Sequence, residues 1–117
     1  MGAMVFLLLR TFLSKGGRIM KYIDEIRKIR SSYEISILAH NGVSARLGHQ
    51  YIPEGYVGIL EPLSLYRRDG IYGARQILYP GDNKIRVILE NHTGELISLE
   101  EGCVIAELHL LNVNKLP

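Results

Sequence analysis

The apolar positions change period part-way along the chain. From Lys21 to Arg30 they are Tyr22, Ile23, Ile26 and Ile29, spaced by three and four, which predicts one short helix. Asp24 and Glu25 lie early in it and Arg27, Lys28 and Arg30 late, as suits a helix dipole. Ser31-Ser32 ends it. Beyond that point the pattern alternates. Glu34 to Ile37 reads as a half-buried strand, Asn41-Gly42 as a hairpin turn, and Val43 to Leu47 as the next strand. Pro53-Glu54-Gly55 turns the chain ahead of an apolar run from Tyr56 to Leu60. Tyr79-Pro80-Gly81-Asp82-Asn83 is dense turn chemistry, with Asp82 and Asn83 expected at a hairpin tip before a strand from Ile85 to Leu89. Asn91 to Gly94 turns again, Leu96 to Leu99 is short and extended, and Glu101-Gly102 makes a last turn. Val104 to Val113 is expected to be the longest strand, with Ala106, Leu108 and Leu110 on one face and Glu107 and His109 on the other.

Short strands about every ten residues predict a mainly β sandwich or barrel. No stretch after Ser32 has a helical period, and no repeat or linker divides the chain. The 117 residues form one domain in this reading, spanning 20–117. Residues 1–19 read as an extension. The apolar run Val5–Leu13 is too short for a bilayer span, which takes about 20 residues, and Met1 to Met4 lacks the basic start of a signal peptide. The run suits an amphipathic helix packed on the domain or a neighbouring subunit. Alternatively it lies upstream of the natural start, because Lys15-Gly16-Gly17-Arg18 just before Met20 can be encoded by ribosome-binding-like DNA.

Composition narrows the partners. A net charge of +2 argues neither for nucleic acid nor for a membrane surface. The single Cys103, beside Val104 and Ile105, permits no intrachain disulfide, reads as a core residue and fits a cytoplasmic protein. His40, His49, His92 and His109 have no zinc-ligand spacing, so no metal site is expected. Arg67, Arg68, Arg75 and Arg86 make either a basic patch for a phosphate or acidic ligand, or a solvated loop.

Four segments, in order, resemble the dUTPase and dCTP-deaminase superfamily. Ile52-Pro53-Glu54-Gly55-Tyr56 is similar to the hydrophobic-Pro-x-Gly-Tyr turn before that family's second motif. Glu61-Pro62-Leu63-Ser64-Leu65, with Gly70-Ile71 after it, resembles the second motif, usually Pro-Arg-Ser-Ser-Leu and then Gly-Ile. Tyr79-Pro80-Gly81-Asp82 running on to Glu95 resembles the third motif and its strand, and Glu101 to Leu108 resembles the fourth, usually Gly-Asp-Arg-Ile-Ala-Gln-Leu. The likeness covers Ile35 to Val113. It implies a distorted jelly-roll or β-barrel, a homotrimer with sites between subunits, and magnesium-dependent hydrolysis of dUTP to dUMP and pyrophosphate.

The chemistry-bearing positions depart from the pattern. The general-base aspartate of the third motif falls on Tyr79 or Leu78, depending on register, and the tyrosine that packs under deoxyribose falls on Asp82. The arginine of the second motif is Leu63, while Ser64 remains able to donate to a phosphate. The phosphate-contacting glutamine of the fourth motif is Glu107. The deaminase glutamate falls on Ile88. The first motif has no counterpart before Ile35, and no glycine-rich arm follows Val113. The expectation is therefore a catalytically silent dUTPase-like trimer without cofactor, serving as a binding, regulatory or structural module. Its candidate nucleotide contacts are Ser64, Arg67, Arg68, Tyr79, Asp82, Asn83 and Glu107. The alternative is an active, magnesium-dependent dUTP diphosphatase with relocated acids, in which Asp82 is the base. A structural subunit of a larger assembly is a third reading.

Overall fold

A computed structural model of the chain describes residues 21–62 and 70–116. The extension 1–19, with Leu63, Ser64, Arg67 and Arg68, lies outside the described residues. Among the described residues nine strands follow one another: β1 (Ile23–Arg30), β2 (Ile35–Ile37), β3 (Gly42–Ile52), β4 (Tyr56–Pro62), β5 (Ile71–Gly73), β6 (Gln76–Leu78), β7 (Gly81–Asn91), β8 (Ile97–Leu99) and β9 (Val104–Asn112), with a 3-10 turn at Val113–Lys115. The fold is mainly β, as the alternation predicts. The strands form three antiparallel sheets, in the orders β1-β9-β4-β6, β2-β8 and β3-β7-β5. The sheets are not closed into a barrel. Among the described residues β1 and β6 form the edges of the first sheet.

The helix expected over Lys21–Arg30 is instead the edge strand β1, paired with β9 from Ile23↔Leu111 to Arg30↔Val104. Isoleucines favour a pleated surface, and pairing along β9 outweighs the three-residue spacing. The consequence is visible at Ile26, which has opposite parity to the buried Ile29 and stays 44% exposed. Asn41-Gly42 does not close a hairpin. β2 and β3 on either side of it belong to different sheets, and a turn carries the chain between them, with Asn41 N–H donating to Leu38 O at 3.1 Å and His40 at φ 57°. β9 is not the longest strand either; β3 and β7 each run for 11 residues.

One main core lies between the sheets. Ile29, Leu60, Ala106 and Leu108 enter it from the first sheet, Ile35, Ile37 and Leu99 from the second, and Ala45, Ile85, Val87 and Leu89 from the third. Cys103 is half-buried against it. The opposite face of the first sheet carries a second cluster, Val57, Ile59 and Leu111, packed against Tyr22, Ile23, Ile77, Val113 and Leu116. On β9 the expected faces hold: Ala106, Leu108 and Leu110 are buried, and Glu107 and His109 alternate with them on the half-buried side. Among the described residues no helix is long and apolar enough to cross a membrane.

Candidate functional site

The segment from Leu78 to Asn83 joins two sheets rather than two arms of a hairpin. β6 ends at Leu78 beside β4, and β7 begins at Gly81 beside β3. Only Tyr79 and Pro80 lie between them. Asp82 and Asn83 are therefore not at a hairpin tip; they are strand residues, opposite Tyr51 and Gln50. The glycine is needed at position 81, where φ is +114°. Asn83 Nδ2 donates to Tyr79 O at 2.8 Å and to Gly81 O at 3.1 Å, so its amide hydrogens close the bend. Tyr79 is 45% exposed. Leu78, the other register for the general-base position, packs half-buried against the main core.

Asp82 points outward from β7. His49 Nδ1, on the neighbouring strand β3, donates to Asp82 Oδ2 at 2.7 Å, and both side chains are more than half exposed. Glu107 lies on another sheet. It stands between Lys28 on β1 and Glu61 on β4 in the cross-strand register, with His109 Nε2 3.3 Å from its Oε1. Glu61 is held by Arg75 in a two-pronged ion pair, Nη2 to Oε1 at 3.1 Å and Nε to Oε2. The hydrogen bond that Arg75 donates to that carboxylate raises its pKa above the ordinary value. Arg75 is thus committed to Glu61 and does not join Arg86 in a basic patch. Asn83 is tied to the backbone of Tyr79, Asp82 turns to the other face of β7 and to His49, and Glu107 lies on another sheet. Among the described residues no three carboxylate, imidazole or thiol groups converge to hold a metal ion.

Arg86, offered by the sequence as one cation of a basic patch, meets partners that the sequence did not single out. Arg86 projects from the same face of β7 as Asp82, directly opposite Arg46 of β3, and the neighbouring rung pairs Lys84 with His49. The two rungs are separated by a bulge at Leu47-Gly48, where Gly48 takes φ +77°. A shallow cleft of about 490 Å³ forms there, lined by Arg46, Gly48, His49, Lys84, Ile85 and Arg86. The polar alternation of both strands was readable; which cations would meet across them was not.

Three open antiparallel sheets in this order, wrapped around one core, constitute a dUTPase-like fold, and solved structures show the likeness. A variant of the dUTPase of Staphylococcus bacteriophage 80alpha, solved with dUpNHpp, matches with a TM-score of 0.65 at 17% identity, over 76% of this chain and 77% of that one. Another variant of the same enzyme with dUpNHpp matches over 80% of this chain and 86% of that one, with a TM-score of 0.64 at 16% identity. A variant dUTPase of phage phi11 of S. aureus, described for its coordination of a structural Mg(II) ion, gives 0.66 at 17% identity over 76% and 77%. No family model matches the chain, and no curated protein matches it. At these identities the likeness is one of fold, and activity has to be argued from the residues.

Proposed function

We propose that this chain is a catalytically silent dUTPase-fold protein, a cytoplasmic homotrimer used as a binding, regulatory or structural module. The observation that carries the reading is the surroundings of Leu78 and Tyr79. Activating water for attack on phosphorus requires a carboxylate at that point, and the chain offers an aliphatic side chain packed on the core or an exposed phenol. Asp82 and Glu107, the acids nearest in sequence to the altered motifs, sit on separate sheets, each beside a histidine. In a dUTPase arrangement Glu107 would replace a neutral amide donor with an anion next to the nucleotide's phosphates. Loss of one such donor typically lowers turnover by about 10²–10³. The test is release of pyrophosphate from dUTP by clean protein with magnesium. The silent reading predicts none above background.

A second reading rests on the His49–Asp82 pair. A carboxylate that orients an imidazole is a recurrent way to build a general base, and the 2.7 Å contact supplies one on an exposed face. In that case the chain is a dUTP diphosphatase with a relocated acid. Pyrophosphate release that is abolished by Asp82→Asn, with the circular dichroism spectrum unchanged, would establish this reading and remove the first.

A further inference from the structure

The outer face of the β3–β7 ribbon breaks a local rule. Like charges directly opposite on antiparallel strands repel and destabilise the pair. Yet Arg46 faces Arg86 directly, and Lys84 stands on the next rung, opposite His49. Arg46, Lys84 and Arg86 have no ion-pair partner among the described residues. The ribbon is also held rigid behind them. Gln76 Nε2 donates to Arg86 O at 2.5 Å from β6, and Arg46 N–H donates to Tyr33 Oη at 3.1 Å. A conflict between local and global preference is expected where a site is built. Here the bulge at Gly48 opens the cleft between the Arg46–Arg86 rung and the His49–Lys84 rung. A β-carbon on Gly48 would meet nothing within 4 Å, so the space beside the bulge is open.

We propose that this cleft binds a short chain of phosphoryl groups, with Arg46, Arg86, Lys84 and His49 as its donors. Rungs two residues apart along a strand lie about 7 Å from each other, a separation that a diphosphate or triphosphate spans. Guanidinium forks suit phosphate oxygens bidentately, and a cationic cleft raises the local anion concentration. The length of the ligand is limited by what flanks the cations. Asp82 stands on the rung beyond Lys84, opposite Tyr51, and Glu90 stands at the other end, opposite Gly42. A long polyanion such as a nucleic-acid strand, laid along the ribbon, would run into both carboxylates. The ligand is therefore a compact oligophosphate, either free or as the tail of a nucleotide. The cleft shares His49 with the His49–Asp82 pair, and binding of a phosphate chain there is read separately from hydrolysis of dUTP.

The experiment is calorimetric titration of the full chain at fixed ionic strength with inorganic triphosphate, with dUTP, and with a single-stranded oligonucleotide. Triphosphate is expected to bind, and Arg46→Ser/Arg86→Ser to weaken it at least about tenfold, the loss of one or more charged hydrogen bonds. Lys28→Ser/Arg30→Ser removes the same charge from β1 and is expected to leave affinity within about twofold. Without ligand, relief of the Arg46–Arg86 repulsion should raise the melting temperature of the first variant, while the rise that triphosphate causes in the wild type disappears. Equal affinity for dUTP and triphosphate identifies the phosphate chain as what is read. Tighter binding of dUTP that is still lost in the arginine variant assigns the same cleft to a nucleotide. No binding of triphosphate, equal losses in both double variants, or tighter binding of the oligonucleotide than of triphosphate overturns the proposal. Should the double variant fail to fold, Lys84→Ser serves in its place and must itself weaken triphosphate binding.

Discussion

The amide of Asn91 donates from Nδ2 to the carbonyl of Ile37 at 2.9 Å, which ties the end of β7 to the end of β2 across two sheets. Its other hydrogen goes to Glu95 O at 2.7 Å, and its oxygen accepts from Thr93 N–H at 2.9 Å and Thr93 Oγ1 at 2.7 Å. The residue is 1% exposed, so this amide's hydrogen-bonding capacity is met inside the protein. Asn91→Ala would remove the partner of the buried Ile37 carbonyl and of the Thr93 N–H, and should destabilise the fold by about 3 kcal/mol. Asn91→Asp, isosteric but unable to donate to the two carbonyls when ionised, should also destabilise. Urea denaturation of both variants measures the effect; midpoints equal to the wild type would show that the amide is not a latch.

Asp24 gathers three donors at the start of β1. Lys115 Nζ lies 2.6 Å from Oδ1, and Tyr56 Oη and Asn112 Nδ2 lie 2.8 and 3.0 Å from Oδ2. Chiefly through the lysine, and then the amide and the phenol, these hold the Asp24 carboxyl at about 2, below its ordinary 3.8. A depressed folded-state pKa adds stability that is complete above the unfolded value and is lost as pH falls through the folded one. The wild type should therefore exceed Asp24→Asn in urea midpoint at neutral pH. The gap should close as pH falls from about 4 to about 2. A gap that stays constant over that range would rule out the carboxylate as its source.

Gly58 lets β4 lie close on the core. A β-carbon there would come 2.9 Å from Ile52 Cδ1, 3.0 Å from Leu108 Cδ1 and 3.3 Å from Leu78 Cβ. All three neighbours belong to, or pack against, the main core. Gly58→Ala is expected to cost about 1–3 kcal/mol by overpacking. Gly48→Ala meets no such atoms; its cost comes from the left-handed backbone at φ +77° alone. Thermal melts of the two variants separate steric from conformational loss. A Gly58 variant as stable as the wild type would mean that the core yields.

The homotrimer proposed above predicts a light-scattering mass three times that of the chain at micromolar concentration, independent of dilution over about tenfold. Several apolar side chains away from the β3–β7 cleft stand ready to be covered, among them Ile26 at 44% exposure on β1, Leu38 at 64% after β2, and Leu96 at 58% on the approach to β8. A chain of this size gains more from covering such surface than a larger one. A stable monomer would refute the assembly and, with it, any site shared between subunits.

What the amino-acid sequence determined is what local chemistry can determine. Alternation at β9, the turn at Pro53-Glu54-Gly55, the turn after Asn91 and the turn at Glu101-Gly102 were all legible, because side-chain period and turn residues act within a few positions. Ser64 was legible only through the resemblance, Arg67 and Arg68 only as members of a basic patch or a solvated loop, and all three lie outside the described residues. Tertiary structure decided the rest. Ile23, Ile26 and Ile29 have a spacing that suits a helix, and the edge of β9 makes them a strand. Asn41-Gly42 has hairpin chemistry, but the strand that β2 needs is β8, some sixty residues further on, so the turn joins sheets instead. Asp82 finds His49, and Arg86 finds Arg46, through a register between β3 and β7 that a bulge at Gly48 shifts along its length. Such pairings depend on which strands lie side by side and in what register, and side-chain period along one strand carries no information about its neighbour.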